Sequence, residues 1–334
     1  MATETWRMYL DPKLGTLRLG DLRGQHITRA YAEVMAERRA AIEQAQARNE
    51  QHRRAANEWN AAHPGSRPKA PHQVAIPPTV SPVTVRRIHA VEFGALKSAV
   101  KAGLVPRSVA PDVELPKATK HKVRPWTPAE YGRFLDYVER TAPRWYPFVL
   151  LAGHSGLRRG ELLGLRWSDL DSSTGRLVVA RQRISVGYQV REGDNTKTDA
   201  GQRVVVLDAG TVAALRAWRK TQLEERLAWG AAYQDRGGLL FTHEDGRPLH
   251  PDHVSKVFRR LVTRAGLPAA KLHALRQYHA AALISTGADI AAVSKLLGHS
   301  SIAITSDIYG GLFEQASAEL SERAAGLVPR ERHA

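Results

Sequence analysis

Three short segments gather groups that suit a phosphate. HSGLRRGELLGLRWSDL carries Arg158, Arg159 and Glu161, HALRQYH carries His273 and Arg276, and LGHSSIAITSDIYGG carries His299 and Tyr309. A planar guanidinium gives forked, charge-assisted bonds to phosphate oxygens, and a tyrosine oxygen can serve as a nucleophile beside a base. Taken singly, each segment has a plainer reading. An arginine beside Glu161 is usually an ion-paired helix residue, a tyrosine near a chain end is usually packing, and Lys197 in NTKTDAGQ reads as a solvated hairpin tip. His273, His279 and His299 fit no common zinc spacing and cysteine is absent, so no metal is expected. No GxxxxGK[ST] loop is found, so no nucleotide-driven motor and no cofactor are expected.

The elements that must position these groups are mostly helical. From Ile27 to about Ala61 the chain lacks Pro and Gly and is rich in Ala, Glu, Arg and Gln, which predicts one long helix. Its second half, RNEQHRRAANEWN, has few apolar positions and is expected to project into solvent or along a partner. Seven prolines and glycines between His63 and Pro82 forbid regular structure, so an insertion spanning about residues 48–80 should end in a mobile loop. Ser81 before Pro82 caps a second helix, with Val85, Ile88, Val91, Ala95 and Ala99 at helical spacing. LPKATKHKVRPW then reads as an extended basic linker, residues 116–126, holding Lys117, Lys120, Lys122 and Arg124.

Thr127, Pro128 and Glu130 spell a capping box that opens a second domain, residues 127–334, after a helical domain at 1–115. Runs at Leu177–Ala180, Ile184–Val190 and Val204–Leu207 predict one small antiparallel sheet. Further helices follow: from Asp208 or Thr211 to about Trp229, from Pro251 to near Gly266, and one on each side of Gly287. Asp289 can cap the last of them, with Gly298 as its stop.

Bulk composition narrows the partner. Forty-nine Lys and Arg against 33 Asp and Glu give a net charge of +16, which favours a polyanion through phosphate neutralisation and counterion release. No apolar run is long enough to span a membrane and the first residues do not form a signal peptide, so a cytoplasmic, nucleoid-associated protein is expected.

Read in order, GLRRGELLGLRW, NTKTDAGQRVVVL, HALR, LGH and Tyr309 resemble the successive boxes of the tyrosine recombinase or phage integrase family. Phrases such as FTHEDGRPL and HVSKVFRRLVTRAGLP are similar to integrases of actinobacterial mobile elements, and the resemblance covers nearly all of residues 81–334. It implies a mainly α fold with a small antiparallel sheet, in which a core-type DNA-binding domain and a catalytic domain form a C-shaped DNA clamp. It also implies a role for each residue. Tyr309 would attack phosphorus and form a 3′-phosphotyrosine, while Arg158 and Arg276 would clamp the non-bridging oxygens. Lys197 would protonate the departing 5′-oxygen, His273 would act as acid or base near the tyrosine hydroxyl, and His299 would donate a hydrogen bond to the phosphate. Glu161 would orient the first arginine box, and Arg159 would face elsewhere.

The implied partners are double-stranded attachment sites, a homotetramer on DNA, and an excisionase or DNA-bending accessory protein. Many integrases carry a small arm-binding domain ahead of the segment resembling YLDPKLGTLRLGDLRG, whereas this chain starts almost there, so either the true start lies upstream or the enzyme is a shortened one that lacks arm-site binding. A tail helix at about 312–326 should pack on its own domain or, within the tetramer, on a neighbour. The competing reading is an inactive or truncated relic that only binds DNA, which the filled set of six reactive positions argues against.

Overall fold

A computed structural model of the chain describes residues 6–118, 124–186, 189–194, 203–299, 301–303, 305, 306 and 309. Contacts divide the chain into two units, Met1–His121 and Lys122–Ala334. Lys120, Lys122, Lys197 and the tail at 312–326 lie outside the described residues.

The first unit is built on α1, Gly24–Ala62, a 39-residue helix. Its N-terminal turns bury Ile27, Ala30, Tyr31 and Val34, the three-and-four spacing of one helical face. They pack with Leu10, Leu14 and Leu22 before the helix and with Val80, Val85, Ile88, Leu96 and Ala110 after it. In its second half only Ala45 and Ala56 are buried, as the polar composition predicts. The proline-rich segment that follows was expected to be a mobile loop; the structure ties it back along α1 instead. Asn49 donates from Nδ2 to the Val74 carbonyl at 2.9 Å and accepts from the Val74 N–H at 2.6 Å. Asn60 makes the same two-bond clamp with Lys69, at 3.1 and 2.7 Å. An extended chain that cannot pair its own backbone finds side-chain amides on the helix, and two of them suffice to lay it down.

Helix α2, Pro82–Lys101, starts where expected: Ser81 Oγ accepts from the Thr84 N–H at 3.2 Å, with proline in the first turn. Its buried face begins as the apolar residues predict, at Val85 and Ile88, and then shifts by one residue. It runs Val85, Ile88, Glu92 and Leu96, while Val91 is 45% exposed and Ala95 is also on the surface. Glu92 turns inward because Tyr31 on α1 offers its hydroxyl there.

The second unit opens with the capping box on α3, Pro128–Thr141: the Thr127 N–H donates to Glu130 at 2.8 Å and the Glu130 N–H to Thr127 Oγ1 at 3.1 Å. Trp126, expected to close an exposed linker, is instead core, packed on Phe134 and Phe258. Helix α4, Tyr146–Ser155, is buried nearly all round. The short α5, Arg159–Gly164, leads into the strands.

Two small antiparallel sheets form where one was expected. Strands β1 (Leu170–Asp171), β2 (Arg176–Val179) and β5 (Arg203–Val206) pair in the order β1-β2-β5, with Leu177 opposite Val205 facing the core. Strands β3 (Arg181–Val186) and β4 (Gln189–Asp194) make a separate hairpin. Helices α6 (Ala209–Trp229, capped by Asp208), α7 (Pro251–Arg264), α8 (His273–Ser285) and α9 (Ile290–Leu297) complete the unit. The molecule is thus mainly helical with small antiparallel sheets, and none of its described helices is long and apolar enough to cross a membrane.

Candidate active site

Two left-handed glycines shape the site. Gly156 ends α4 with φ +61° and Gly298 ends α9 with φ +67°, a region that side chains rarely adopt. The first turn aims the chain so that Arg158 sits at the N-cap of α5. Its own N–H donates to Glu161 Oε2 at 2.8 Å, and its guanidinium donates to Glu161 Oε1 at 2.9 Å and to the Gly298 carbonyl at 2.6 Å. Arg276, one turn into α8 and only 2% exposed, donates to the Gly156 carbonyl at 2.8 Å and to the Leu297 carbonyl at 2.7 Å. The first, third and fourth sequence boxes therefore meet at one point, although residues 156 and 276 stand far apart in the chain. Arg159 points away, donating to the Pro251 carbonyl at 3.2 Å and Ser255 Oγ at 2.6 Å.

After Gly298 the chain presents His299, whose Nδ1 lies 2.7 Å from Thr305 Oγ1. Tyr309 is 3% exposed and packs among Ala280, Ile284, Val293 and Leu297, on the inner faces of α8 and α9. Lys197 lies outside the described residues, between β4 and β5. Of the basic linker, Lys117 and Arg124 are exposed. Arg124 reaches Glu130 at 3.3 Å and lines, with Lys271, His273 and Gln277, a cavity of about 370 Å³. One residue that sequence reasoning missed stands in the centre: Arg203, first residue of β5, donates to both oxygens of Glu161 at 3.0 and 2.9 Å. It lies within the NTKTDAGQRVVVL motif, but its partner is 42 residues away and no spacing announces it.

The sequence profile described as the phage integrase family matches residues 126–315, more than half of the chain. The chain belongs to the phage integrase family. Similar curated proteins include a tyrosine recombinase XerC-like protein of Caldanaerobacter subterraneus, 36% identical over 48% of this chain and 44% of the relative. The ICEBs1 integrase of Bacillus subtilis is 26% identical over 69% of this chain and 62% of its own length. A tyrosine recombinase XerC of Xanthomonas campestris is 30% identical over 70% and 65%. The matches thus span less than two thirds of these relatives. Among solved structures, the Tn1549 transposon integrase in complex with transposon right end DNA superposes with a TM-score of 0.72 at 20% identity, covering 97% of this chain and 92% of that one. A lambda integrase dimer bound to a core site gives 0.58 at 16% identity, covering 92% and 86%. These likenesses establish the fold.

Within this integrase fold, burial and positive charge set the protonation states. Burial, then Arg276 and Arg158, lowers the pKa of His273 below the usual histidine value. The same causes in the same order bring His299 to about 4. At neutral pH both rings are therefore neutral, each with one nitrogen that accepts and one that donates, and in His299 Nδ1 is already engaged with Thr305. Burial pushes Tyr309 up to about 12, with Arg276 pulling the other way. Its proton needs a base to leave near pH 7. Burial lowers Arg276 to about 10, which leaves it charged at neutral pH. Glu161 is held below the usual carboxylate range: burial alone would raise it, but the Arg203 fork and then Arg158 outweigh burial.

Proposed function

We propose that the chain is a site-specific DNA recombinase that integrates or excises a mobile element, with Tyr309 as its nucleophile. The observation that carries this reading is the convergence of Arg158, Arg276, His273, His299 and Tyr309 around the end of α9: the two guanidiniums bond its last carbonyls, their charge acts on both imidazoles, and Arg276 acts on Tyr309. Tyr309 Oη attacks phosphorus, the P–O5′ bond breaks, and a 3′-phosphotyrosine and a free 5′-hydroxyl result. Bond energy is kept for religation, so no nucleotide cofactor is consumed. Arg158 and Arg276 neutralise the charge that grows on the non-bridging oxygens. His273, neutral at pH 7, takes the phenol proton, Lys197 delivers one to the leaving 5′-oxygen, and His299 donates to the phosphate. Glu161 fixes the orientation of Arg158.

The net charge of +16 supports a duplex DNA partner, with Lys117, Lys120, Lys122 and Arg124 on its backbone. A homotetramer on DNA, with the 312–326 tail docking on a neighbouring protomer, is the assembly we propose. A lambda integrase tetramer bound to a Holliday junction, similar in fold with a TM-score of 0.57, supports it. An excisionase or DNA-bending protein completes the proposed set of partners, and the cytoplasm is the proposed compartment. The test uses nicked suicide duplexes carrying the sequences that flank the gene. A covalent protein–DNA adduct should appear on a denaturing gel and vanish in Tyr309→Phe. An adduct that persists in Tyr309→Phe, or none with any flanking duplex, removes the reading.

A further inference from the structure

Three successive backbone carbonyls at the end of α9 each receive a different arginine. Leu296 accepts from Arg203 Nε at 2.9 Å, Leu297 from Arg276 at 2.7 Å, and Gly298 from Arg158 at 2.6 Å. The last carbonyls of a helix have no partner inside it and carry the negative end of its dipole, so cations belong there. The three donors differ in what else they can do. Arg158 is 43% exposed and can turn to a phosphate, whereas the Arg203 side chain is 10% exposed and spends its other two nitrogens on Glu161. Glu161 in turn holds both the backbone and the guanidinium of Arg158.

We propose that Arg203 is a positioning residue of this site: it locks Glu161 and the Leu296–Gly298 turn into one register, so that Arg158 and Arg276 face a single phosphate. The proposal rests on the recombinase reading above. Arg203 touches no reacting atom in it. When DNA draws Arg158 off the Gly298 carbonyl, Arg203 still joins α5 to the end of α9, since its forked pair with Glu161 is buried and its third bond is to backbone. A lysine would keep the charge but not the fork.

The side chains that act on Glu161 are Arg158 beside it, Arg203 from β5 and Arg276 from α8, with His299 just past the turn. Removing Arg203 withdraws the partner that most strongly holds Glu161 ionised. Glu161 should then take up a proton at a higher pH and let Arg158 go.

Arg203→Met and Arg203→Lys are compared with the unaltered protein for duplex binding, for the rate of adduct formation from pH 5.5 to 8, and for amide hydrogen exchange of Leu296–His299 in the free protein. In Arg203→Met the adduct rate should fall about 100-fold, the cost of misplacing a reacting group by an ångström, while duplex binding is kept. The acid side of its rate profile should move to higher pH, Arg203→Lys should be intermediate, and exchange at the turn should rise. An unchanged adduct rate and profile, or a loss of binding and adduct together with global unfolding, overturns the proposal. If the unaltered protein gives no adduct, the recombinase reading fails on its own account. Arg203 is then judged by exchange alone, and unchanged exchange overturns its role as the lock on the turn.

Discussion

Glu161 and Glu92 are equally buried, 2% and 3% exposed, and their pKa values move in opposite directions. Glu92, in the first unit, is raised by burial, and the Tyr31 hydroxyl offsets this only in part; its Oε1 has no hydrogen-bond partner among the described residues. Glu161, in the second, is lowered, because burial is outweighed by the Arg203 fork and by Arg158. Depth alone does not fix the state of a carboxylate; the donors that meet it do. One unit holds a carboxyl whose charge burial disfavours, and the other keeps an anion that organises cations.

The comparison breaks most sharply at Glu161. Glu161→Leu leaves the buried Arg203 fork without its acceptor and should cost about 3–5 kcal/mol, read from urea unfolding at pH 7. A cost no larger than that of an ordinary surface change would mean that the fork is not an anchor. His279 offers an intermediate case. It is a buried ring whose Nε2 has no hydrogen-bond partner among the described residues, and burial is the first cause of its pKa near 4. Since that lies below the ordinary 6.5, the unfolded chain binds the proton more readily, and stability should be lost as pH falls from about 6.5 to about 4. His279→Asn should flatten this stretch of the stability curve; a constant gap between the two proteins across it would refute the assignment.

Glu92→Gln should be the mildest, changing stability by less than about 1 kcal/mol at low pH, where a neutral acid is replaced by a neutral amide. The sign then reverses relative to Glu161. A raised folded pKa gives stability that is present below the ordinary 4.5 and lost as pH rises, so Glu92→Gln should gain on the unaltered protein from pH 5 upward. For Glu161 the contribution is present above 4.5 and lost on acidification. Parallel stability curves for Glu92→Gln and the unaltered protein would show that burial does not raise Glu92.

Local signals were legible wherever a residue and its partner lie within one turn of each other. The Ser81 cap, the Thr127–Glu130 box and the Gly298 stop could all be read from sequence and each is in place, and of the two candidate caps Asp208 and Thr211 it is Asp208 that caps the helix. What stayed hidden depends on distant partners. The face of α2 was misjudged because Val91 looks apolar and Glu92 polar, and only Tyr31, 61 residues earlier, makes the glutamate an inward residue. Trp126 was placed in a linker because Phe134 and Phe258 close over it from two separate helices. The proline-rich segment was expected to be loose because its composition reveals nothing of the two asparagines on α1 that hold it. The arginine boxes were found by resemblance, whereas Arg203 needed the fold.

The end of α9 also has a consequence for robustness. An eight-residue helix is too short to hold its shape alone. It borrows rigidity from three arginines rooted in three separate stretches of chain, and those stretches are also tied to one another by the Glu161 fork and by the Gly156 carbonyl. The arrangement is redundant: fraying of that one turn takes a bond from each arginine, yet Glu161 still holds Arg158 and Arg203, and Gly156 still holds Arg276.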